Sequence, residues 1–453
     1  MSLFPDIETL SDHESLTHFG RDWTRFWTPA PDRIAFPRST EDVVSLVRWA
    51  RANEACLVPS GGRTGLSGGA VATRGEVVVA MDKMRNMIEI DTVEPSMTVQ
   101  AGTSVGEVQR QAANAGLFYP VDWSAAGSSQ IGGSIATNAG GIRVLRYGMT
   151  RQWVRGLEVV DGRGEVLNLN RGLIKNNAGP DLMQLMIGSE GVLGIITQAT
   201  LALTNPPPEQ SVLLLAFADI EALMPSFAAL RSRLQLSAFE FFDRRCVQQV
   251  ANQHEASFPL ETDSPFFSVV EFDNPDGMHD EAALGVFERL VEEGWVVDGL
   301  LSQSGLQAAE MWRWREDISE AITPRTPYKN DLSVRVSRVP DFLGDLDALI
   351  RQRYPAFEVL WFGHIGDGNL HMNILRPPDM DVTEFREACD QLSPSVFELV
   401  RKYGGSISAE HGVGLLKRDY LHYCRSQVEI DALRGIKRIF DPGCVLNPGK
   451  MLA

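Results

Sequence analysis

The sequence predicts an α+β protein with more than one domain, and three observations support this prediction. The chain has 453 residues, too many for one hydrophobic core. Short β-like runs between glycine-rich turns fill its first part, whereas strands and helices alternate in the second. The segment Asn205-Pro206-Pro207-Pro208 forms a stiff linker between the two parts. We expect a helical lead-in (1–33), a first domain (34–205), a second domain (206–410) and a C-terminal segment (411–453).

The first domain begins with a clear helix start. Ser39 or Thr40 can cap this helix, Glu41 and Asp42 fill its first turn, and an apolar stripe follows from Val43. A second helix at 105–115 ends before Gly116, as a C-cap would. The β-like runs are 56–59, 77–81, 87–90, 97–99, 154–160, 166–169, 194–197 and 200–203.

The second domain is predicted to be an antiparallel sheet covered by helices. Strands are expected at 211–217, 266–272 and 296–301, with helices at 220–234 and 280–293 between them. The C-terminal segment carries one further helix, 430–440, which stops at the Asp441-Pro442-Gly443 turn.

Composition excludes several classes of function. A net charge of -17 argues against binding to nucleic acids or anionic membranes. No apolar run reaches the length of a membrane span, and the N-terminus lacks a signal-peptide pattern. The five cysteines form no CxxC pair, which argues against a cysteine-bound iron–sulfur cluster. These features predict a cytoplasmic protein.

Two glycine-rich stretches in the first domain are suited to a dinucleotide. The first is Pro59–Ala70 and the second is Gly127–Gly141. Glycines let backbone N–H groups approach a ligand closely and form nests for phosphate oxygens. Neither stretch contains GxGxxG or GxxxxGK[ST], so a Rossmann NAD site and a Walker-type ATP site are poor interpretations.

The stretch Gly363–Asn373 predicts a metal-binding hairpin. Asp367-Gly368 is a two-residue turn signal, and with it at the tip His364 pairs with His371. Directly paired residues share one face of the ribbon, so both imidazoles can hold one ion, and Asn373 falls on the same face. A carboxylate is needed to complete such a site.

The order of motifs resembles the FAD-linked oxidoreductases with a flavin domain of the vanillyl-alcohol-oxidase type. Within that family it is most similar to the D-2-hydroxyacid dehydrogenases, above all the 2-hydroxyglutarate branch. The resemblance runs from about Arg33 to the C-terminus. It rests on the two glycine-rich stretches, Ile187–Ile195, the hairpin, Glu410-His411-Gly412 and Leu446–Lys450.

The resemblance implies FAD between the two glycine-rich stretches, with Ile195 near the adenine end and Asn447 at the flavin ring. Some relatives attach flavin through a histidine of the first loop; Arg63 and Thr64 stand there, so we expect non-covalent FAD. The implied cofactor residues are Pro59, Ser60, Gly61, Gly62, Arg63, Thr64, Gly65, Leu66, Ser67, Gly127, Gly132, Gly133, Ala136, Thr137, Asn138, Gly140, Gly141, Glu190, Gly191, Gly194, Ile195 and Asn447.

The resemblance also implies a metal site at His364, His371 and Glu410, with Zn²⁺ the leading ion and Mn²⁺ or Fe²⁺ as alternatives. The 2-hydroxyl and carboxylate of the substrate would chelate this ion. His411 would take the hydroxyl proton while the C2 hydride moves to flavin N5. Neighbours in a regular strand point to opposite faces, so Glu410 and His411 can share a site only if the glycines around them make the backbone irregular.

The resemblance further implies that Arg315, Ser319 and Lys329 hold substrate carboxylates. Asn373 lies on the predicted metal face. Arg313 is also a candidate, and Arg315 is preferred by its position, one helical turn before Ser319. This much positive charge favours D-2-hydroxyglutarate as substrate and 2-oxoglutarate as product. D-lactate or another D-2-hydroxy monoacid is the alternative substrate. A flavoprotein that has lost catalysis is an alternative of another class.

The expected electron acceptor is an electron-transfer flavoprotein or a quinone, and a homodimer is possible.

Overall fold

The computed structural model describes residues 3–24 and 26–452. The strands of this part of the chain are β1 Thr9–Leu10, β2 Arg33–Ala35, β3 Leu57–Ser60, β4 Val77–Ala80, β5 Met87–Asp91, β6 Ser96–Gln100, β7 Val154–Asp161, β8 Val166–Leu169, β9 Gly194–Ala202, β10 Gln210–Phe217, β11 Leu236–Asp243, β12 Phe266–Asp273, β13 Val296–Leu301, β14 Tyr328–Ser333, β15 Glu358–Gly363 and β16 Asn369–Leu375. The α-helices are α1 His13–Phe19, α2 Thr40–Ala52, α3 Val105–Asn114, α4 Ile131–Thr137, α5 Val144–Tyr147, α6 Met183–Met186, α7 Leu223–Arg231, α8 Arg244–His254, α9 Asp280–Glu292, α10 Gly305–Glu316, α11 Ile318–Ala321, α12 Val339–Arg353, α13 Val382–Lys402 and α14 Gln427–Phe440.

The chain forms two compact units. The first unit comprises the chain up to Gly141, Gly148–Pro206 and the chain from Glu410 onward, and the second comprises Ile142–Tyr147 and Pro207–Ala409. The helical lead-in is therefore part of the first unit, and its strand β1 pairs with β2. The six-residue excursion into the second unit has no signal in the sequence pattern.

The first unit contains two sheets. One is four-stranded in the order β1-β2-β4-β3, with β4 parallel to both β2 and β3. The other is antiparallel and five-stranded, in the order β5-β6-β9-β7-β8. Helix α2 packs the apolar stripe of Val43, Leu46 and Val47 into the core of this unit. Its N-cap is Ser39, one of the two predicted candidates, and Ser39 forms a capping box with Asp42.

The second unit is built on one antiparallel seven-stranded sheet in the order β13-β10-β12-β11-β15-β16-β14. Every residue of β11 is buried, so both faces of this strand are covered. The sequence of β11 therefore shows no alternation of polar and apolar residues. Helices α8 and α10 cover one face through buried Cys246, Met311 and Trp314. No helix among the described residues is both long and apolar enough to cross a membrane.

Candidate active site

The glycine-rich stretches line one cavity of the first unit, here named the glycine groove. It holds about 1430 Å³ of empty space, counting the part open to solvent. Most of the predicted cofactor residues line it: Pro59, Ser60, Gly61, Gly62, Arg63, Thr64, Gly65, Leu66, Ser67, Gly132, Gly133, Ala136, Thr137, Gly140, Glu190, Gly191, Gly194 and Ile195. Glu410 and His411 line the same groove.

Four predicted cofactor residues do not line the groove: Gly127, Asn138, Gly141 and Asn447. Asn138 ends α4 in the left-handed conformation and accepts a hydrogen bond from the backbone N–H of Arg151. A Cβ at Gly141 would lie 2.0 Å from the carbonyl oxygen of Asp122, so glycine is needed there for close packing. These positions therefore shape the backbone behind the groove.

Asn447 is buried and joins parts of the first unit that are far apart in sequence. Its amide nitrogen donates to the carbonyl oxygens of Gly69 at 3.0 Å and Glu190 at 2.7 Å, and its amide oxygen accepts from Lys450. The C-terminal segment thereby fixes two walls of the glycine groove.

Sequence reasoning missed several groove residues, both outside and within the glycine-rich stretches. Asp22, in the lead-in, accepts a hydrogen bond from the backbone N–H of Gly68 at 2.7 Å, and burial raises the pKa of its carboxyl group. Ser129 contacts the Thr64 hydroxyl at 2.9 Å and accepts from the Trp123 indole N–H at 2.9 Å, so it ties the two glycine-rich stretches together. A buried aspartate in a predicted polar lead-in leaves no signal in the sequence.

The segment that follows Glu410 is irregular, as the glycines predicted. Gly412 and Gly414 both have positive φ, at 80° and 50°. The bend brings the two neighbouring side chains to one side, with Nε2 of His411 3.6 Å from Oε1 of Glu410. Both side chains are largely buried, at 21% and 16% exposure.

The segment is held by Ser67 and Glu190. The Ser67 hydroxyl contacts the carbonyl oxygens of His411 at 2.7 Å and Gly412 at 3.0 Å. The Glu190 carboxylate accepts backbone hydrogen bonds from Val413 and Gly414, both at 2.7 Å. Burial raises the pKa of Glu190, although these two hydrogen bonds oppose the shift.

In the second unit, the predicted hairpin register is wrong by two residues. The observed pairing joins Phe362, not His364, to His371, and residues 364–368 form the loop. The His364 carbonyl closes this loop by accepting from the N–H groups of Asp367 and Asn369, at 3.1 and 3.2 Å. A shift of two residues keeps every side chain on its predicted face. The two imidazoles therefore still meet, with ring centroids 5.2 Å apart.

Strand β14 places further polar residues opposite β16, the strand that carries His371. Asp331 pairs with His371 and Lys329 pairs with Asn373, so these side chains share one face of the sheet. Asp331 Oδ1 lies 3.8 Å from His371 Nδ1 and accepts from the Asn369 amide at 2.7 Å. Asp331 and Asn369 were not predicted, since nothing in the sequence sets them apart from other strand residues.

Lys329 is a largely buried cation on this face. Loss of hydration lowers the pKa of its ammonium group. Among the residues that the structure describes, no carboxylate lies within ion-pair distance of its Nζ. A buried ammonium without a protein counter-ion is suited to receive an anionic ligand.

The predicted Arg315 and Ser319 lie in different environments. Arg315 is 6% exposed, whereas Ser319 is exposed and its carbonyl oxygen accepts from the Thr323 hydroxyl. Helix α10 ends at Glu316 and α11 begins at Ile318, so the predicted single helix is divided here. Arg313, the other candidate, is exposed and lies 3.8 Å from Asp317.

Arg315 reaches the same polar face. Its Nη2 lies 2.8 Å from Oε2 of Glu240, and its guanidinium stacks 4.9 Å from the centre of the Phe362 ring. Its Nε is buried without a hydrogen-bond partner in the described part of the chain. Arg315 therefore keeps one donor for a ligand.

Each unit offers its own donors for a cation. In the second unit, ligand atoms of Asp331 and His371 lie within 4.8 Å of each other, and in the first unit those of Glu410 and His411 do so. Glu410 directly follows Ala409, the last residue of the second unit. Imidazole nitrogens and carboxylate oxygens are the ligands of catalytic zinc sites.

Comparison with known proteins agrees with this architecture. A family model described as FAD linked oxidases, C-terminal domain, matches residues 206–451, and one described as FAD binding domain matches residues 31–170. A solved alkyldihydroxyacetonephosphate synthase has a TM-score of 0.71 at 18% identity, covering 98% of this chain and 84% of that one. That likeness concerns the fold, and it confirms the predicted two-domain α+β architecture.

Two curated relatives are similar over nearly the whole chain. The chain is 50% identical over 446 residues to a D-2-hydroxyglutarate dehydrogenase of Stutzerimonas stutzeri (strain A1501), covering 98% of this chain and 96% of the relative. It is 35% identical over 449 residues to the mitochondrial D-2-hydroxyglutarate dehydrogenase of Danio rerio, covering 98% of this chain and 83% of the relative.

Proposed function

The chain belongs to the FAD-linked oxidases, and we propose that it oxidises D-2-hydroxyglutarate to 2-oxoglutarate with FAD and a divalent metal. The observation that carries the choice of substrate is Lys329, a partly buried ammonium without a carboxylate partner among the described residues. It lies on the same sheet face as two histidines. Such a face can bind a hydroxy acid at one end and a second carboxylate at the other.

The glycine groove is the proposed FAD site. Glycines line its walls, and they let a pyrophosphate approach the backbone closely. The chemistry supplied by FAD is acceptance of a hydride. No histidine lines the groove in the first glycine-rich stretch, which supports a non-covalent flavin.

We propose His364, His371 and Glu410 as the metal ligands, with zinc as the leading ion, because imidazole nitrogens and a carboxylate are the ligands that catalytic zinc takes. Backbone hydrogen bonds tie Ser406 to Ser333 at the end of β14. Glu410 is four residues further along, so chain length alone keeps it within roughly 14 Å of that strand end. The chemistry supplied at such a site is Lewis-acid polarisation of the hydroxy acid.

The remaining groups are assigned by their charge and position. Arg315, through its free Nε, and Lys329 bind substrate carboxylate, and Asn373 orients the hydroxy-acid end. Ser319 is the least supported member of the predicted set because its side chain is exposed. His411 takes the hydroxyl proton, since its imidazole lines the glycine groove beside Glu410.

We further propose a cytoplasmic location and an electron-transfer flavoprotein or quinone as acceptor. All five cysteines are free thiols, which suits a reducing compartment.

The test is anaerobic reduction of the bound flavin by a panel of D- and L-2-hydroxy acids, followed by visible absorbance. Fast bleaching by D-2-hydroxyglutarate, lost after chelation and restored by zinc, is the expected result. Preferential bleaching by D-lactate would contradict the substrate and keep the mechanism. The absence of bleaching by every hydroxy acid would overturn the proposed function.

A further inference from the structure

Glu240 lies at the centre of the polar face, although nothing in the sequence distinguishes it from its neighbours in β11. Its side chain is 1% exposed. Burial of a carboxylate is unfavourable unless charged or polar partners compensate it. The partners of Glu240 are therefore informative about its role.

The first partner is the predicted metal ligand His364. The two carboxylate oxygens of Glu240 lie 2.9 and 2.8 Å from Nδ1 of His364. Sheet register brings them together, because the pairing of Phe241 with Gly363 makes Glu240 and His364 the next opposed pair. The second partner is the Arg315 guanidinium, at 2.8 Å.

This arrangement fixes the tautomer of one imidazole. A carboxylate paired with a guanidinium accepts hydrogen bonds and does not donate them, so Nδ1 of His364 carries the hydrogen. The lone pair is then on Nε2, which becomes the metal-binding atom. Carboxylates that hold a ligating histidine in this way raise its basicity and orient its ring.

We infer that Glu240 is a positioning residue that prepares His364 for the metal and Arg315 for the substrate. This inference rests on the proposed function, and it extends that proposal to a residue 124 positions away from His364 in the chain. One carboxylate thereby contacts both groups, because its Oε2 lies 2.8 Å from Nη2 of Arg315 and 2.8 Å from Nδ1 of His364.

The same sheet face provides a matched control. Glu271, on the neighbouring strand β12, is also buried and forms an ion pair with Arg143 at 2.9 Å. It accepts from the Trp312 indole at 3.1 Å and contacts neither predicted histidine ligand. Glu271→Gln thus removes a buried carboxylate–arginine pair of the same sheet and leaves His364 untouched.

The experiment measures zinc affinity of the FAD-loaded full-length chain after chelation, by competition with a chromophoric chelator. Glu240→Gln should weaken zinc binding about 10- to 100-fold, whereas Glu271→Gln should bind zinc like the wild type. Equal affinity of Glu240→Gln and wild type would overturn the inference. A wild type that binds no zinc would instead overturn the metal site of the proposed function.

A second variant covers the case in which Glu240→Gln does not fold. Glu240→Asp keeps the negative charge but shortens the side chain by one methylene, which draws the carboxylate away from Nδ1 of His364. It should also weaken zinc binding, while flavin absorbance and circular dichroism match the wild type. Wild-type zinc affinity in this variant would count against the inference.

Discussion

The carboxylate of Glu190 accepts a hydrogen bond from the backbone N–H of Gly414, at 2.7 Å. A second bond of the same length comes from Val413. Through them, a residue of the glycine groove holds the segment that carries His411. The resemblance assigned Glu190 to the cofactor, whereas its carboxylate is engaged with the protein backbone.

We predict that Glu190→Ala destabilises the protein. Two backbone N–H groups would lose their acceptor, and each unpaired buried donor costs about 1–3 kcal/mol. Urea unfolding with saturating FAD measures the loss. Glu165→Ala is the control, because that side chain is 64% exposed. An unchanged urea midpoint in Glu190→Ala would show that these two hydrogen bonds do not stabilise the protein.

We predict that Lys329→Ala discriminates between diacid and monoacid substrates. Removing a cation that binds the second carboxylate should lower kcat/KM for D-2-hydroxyglutarate about 10- to 100-fold, as expected for a charged hydrogen bond of about 1.5–3 kcal/mol. D-lactate has no second carboxylate and should be affected less. Steady-state rates with both acids test this, and an equal loss on both would refute the charge argument.

We predict that His371→Ala abolishes flavin reduction while FAD stays bound. The imidazole lies in the second unit, whereas the glycine groove belongs to the first. Flavin content and anaerobic bleaching are measured on the same sample. His254→Ala is the control, since His254 pairs with Asp317 and takes no part in the proposed site. Loss of FAD from His371→Ala would show that the variant disturbs more than the metal.

We predict a pH effect on stability from Asp243. Burial raises the pKa of this carboxyl from 3.8 to about 6. The folded state therefore binds more protons than the unfolded state in this range, and stability falls as the pH rises from about 4 to 6. The loss amounts to about 3 kcal/mol, at about 1.4 kcal/mol per pKa unit.

The test of this effect is Asp243→Asn, which cannot ionise. Asp243 caps α8 by accepting from the backbone N–H of Cys246, and asparagine can do the same. Denaturant unfolding of both proteins at pH 4 and pH 6 should show a smaller decrease in the variant. Parallel decreases would mean that other groups cause the pH dependence.

The hairpin shows which part of the site the sequence could predict. Alternation along β15 and β16 fixes the face of each side chain, and this part of the prediction holds. The register depends on the turn, and the Asp367-Gly368 signal selected a loop that was too short. Gly366 donates to the carbonyl of Phe239 on another strand, so tertiary contact sets the loop length.

The second glycine-rich stretch was predicted as a phosphate loop, yet part of it is the helix α4. Gly132 lies within this helix, and a Cβ there would be 2.7 Å from the Cβ of Ala101. Glycine is therefore needed at position 132 for the close packing of α4, whether or not a ligand also approaches it. Glu240 and Asp331 were missed for a related reason, since their partners come from distant strands and local patterns cannot reveal them.

The short excursion Ile142–Tyr147 makes the second unit discontinuous in the gene. Arg143 and Arg146 of this excursion pair with Glu271 and Asp273 of strand β12. A fragment cut at the proline run would lack both arginines, and each of the two carboxylates would lose its cation. Domain shuffling that exchanges one half of the coding sequence would thus break these ion pairs, so the two units are expected to be inherited together.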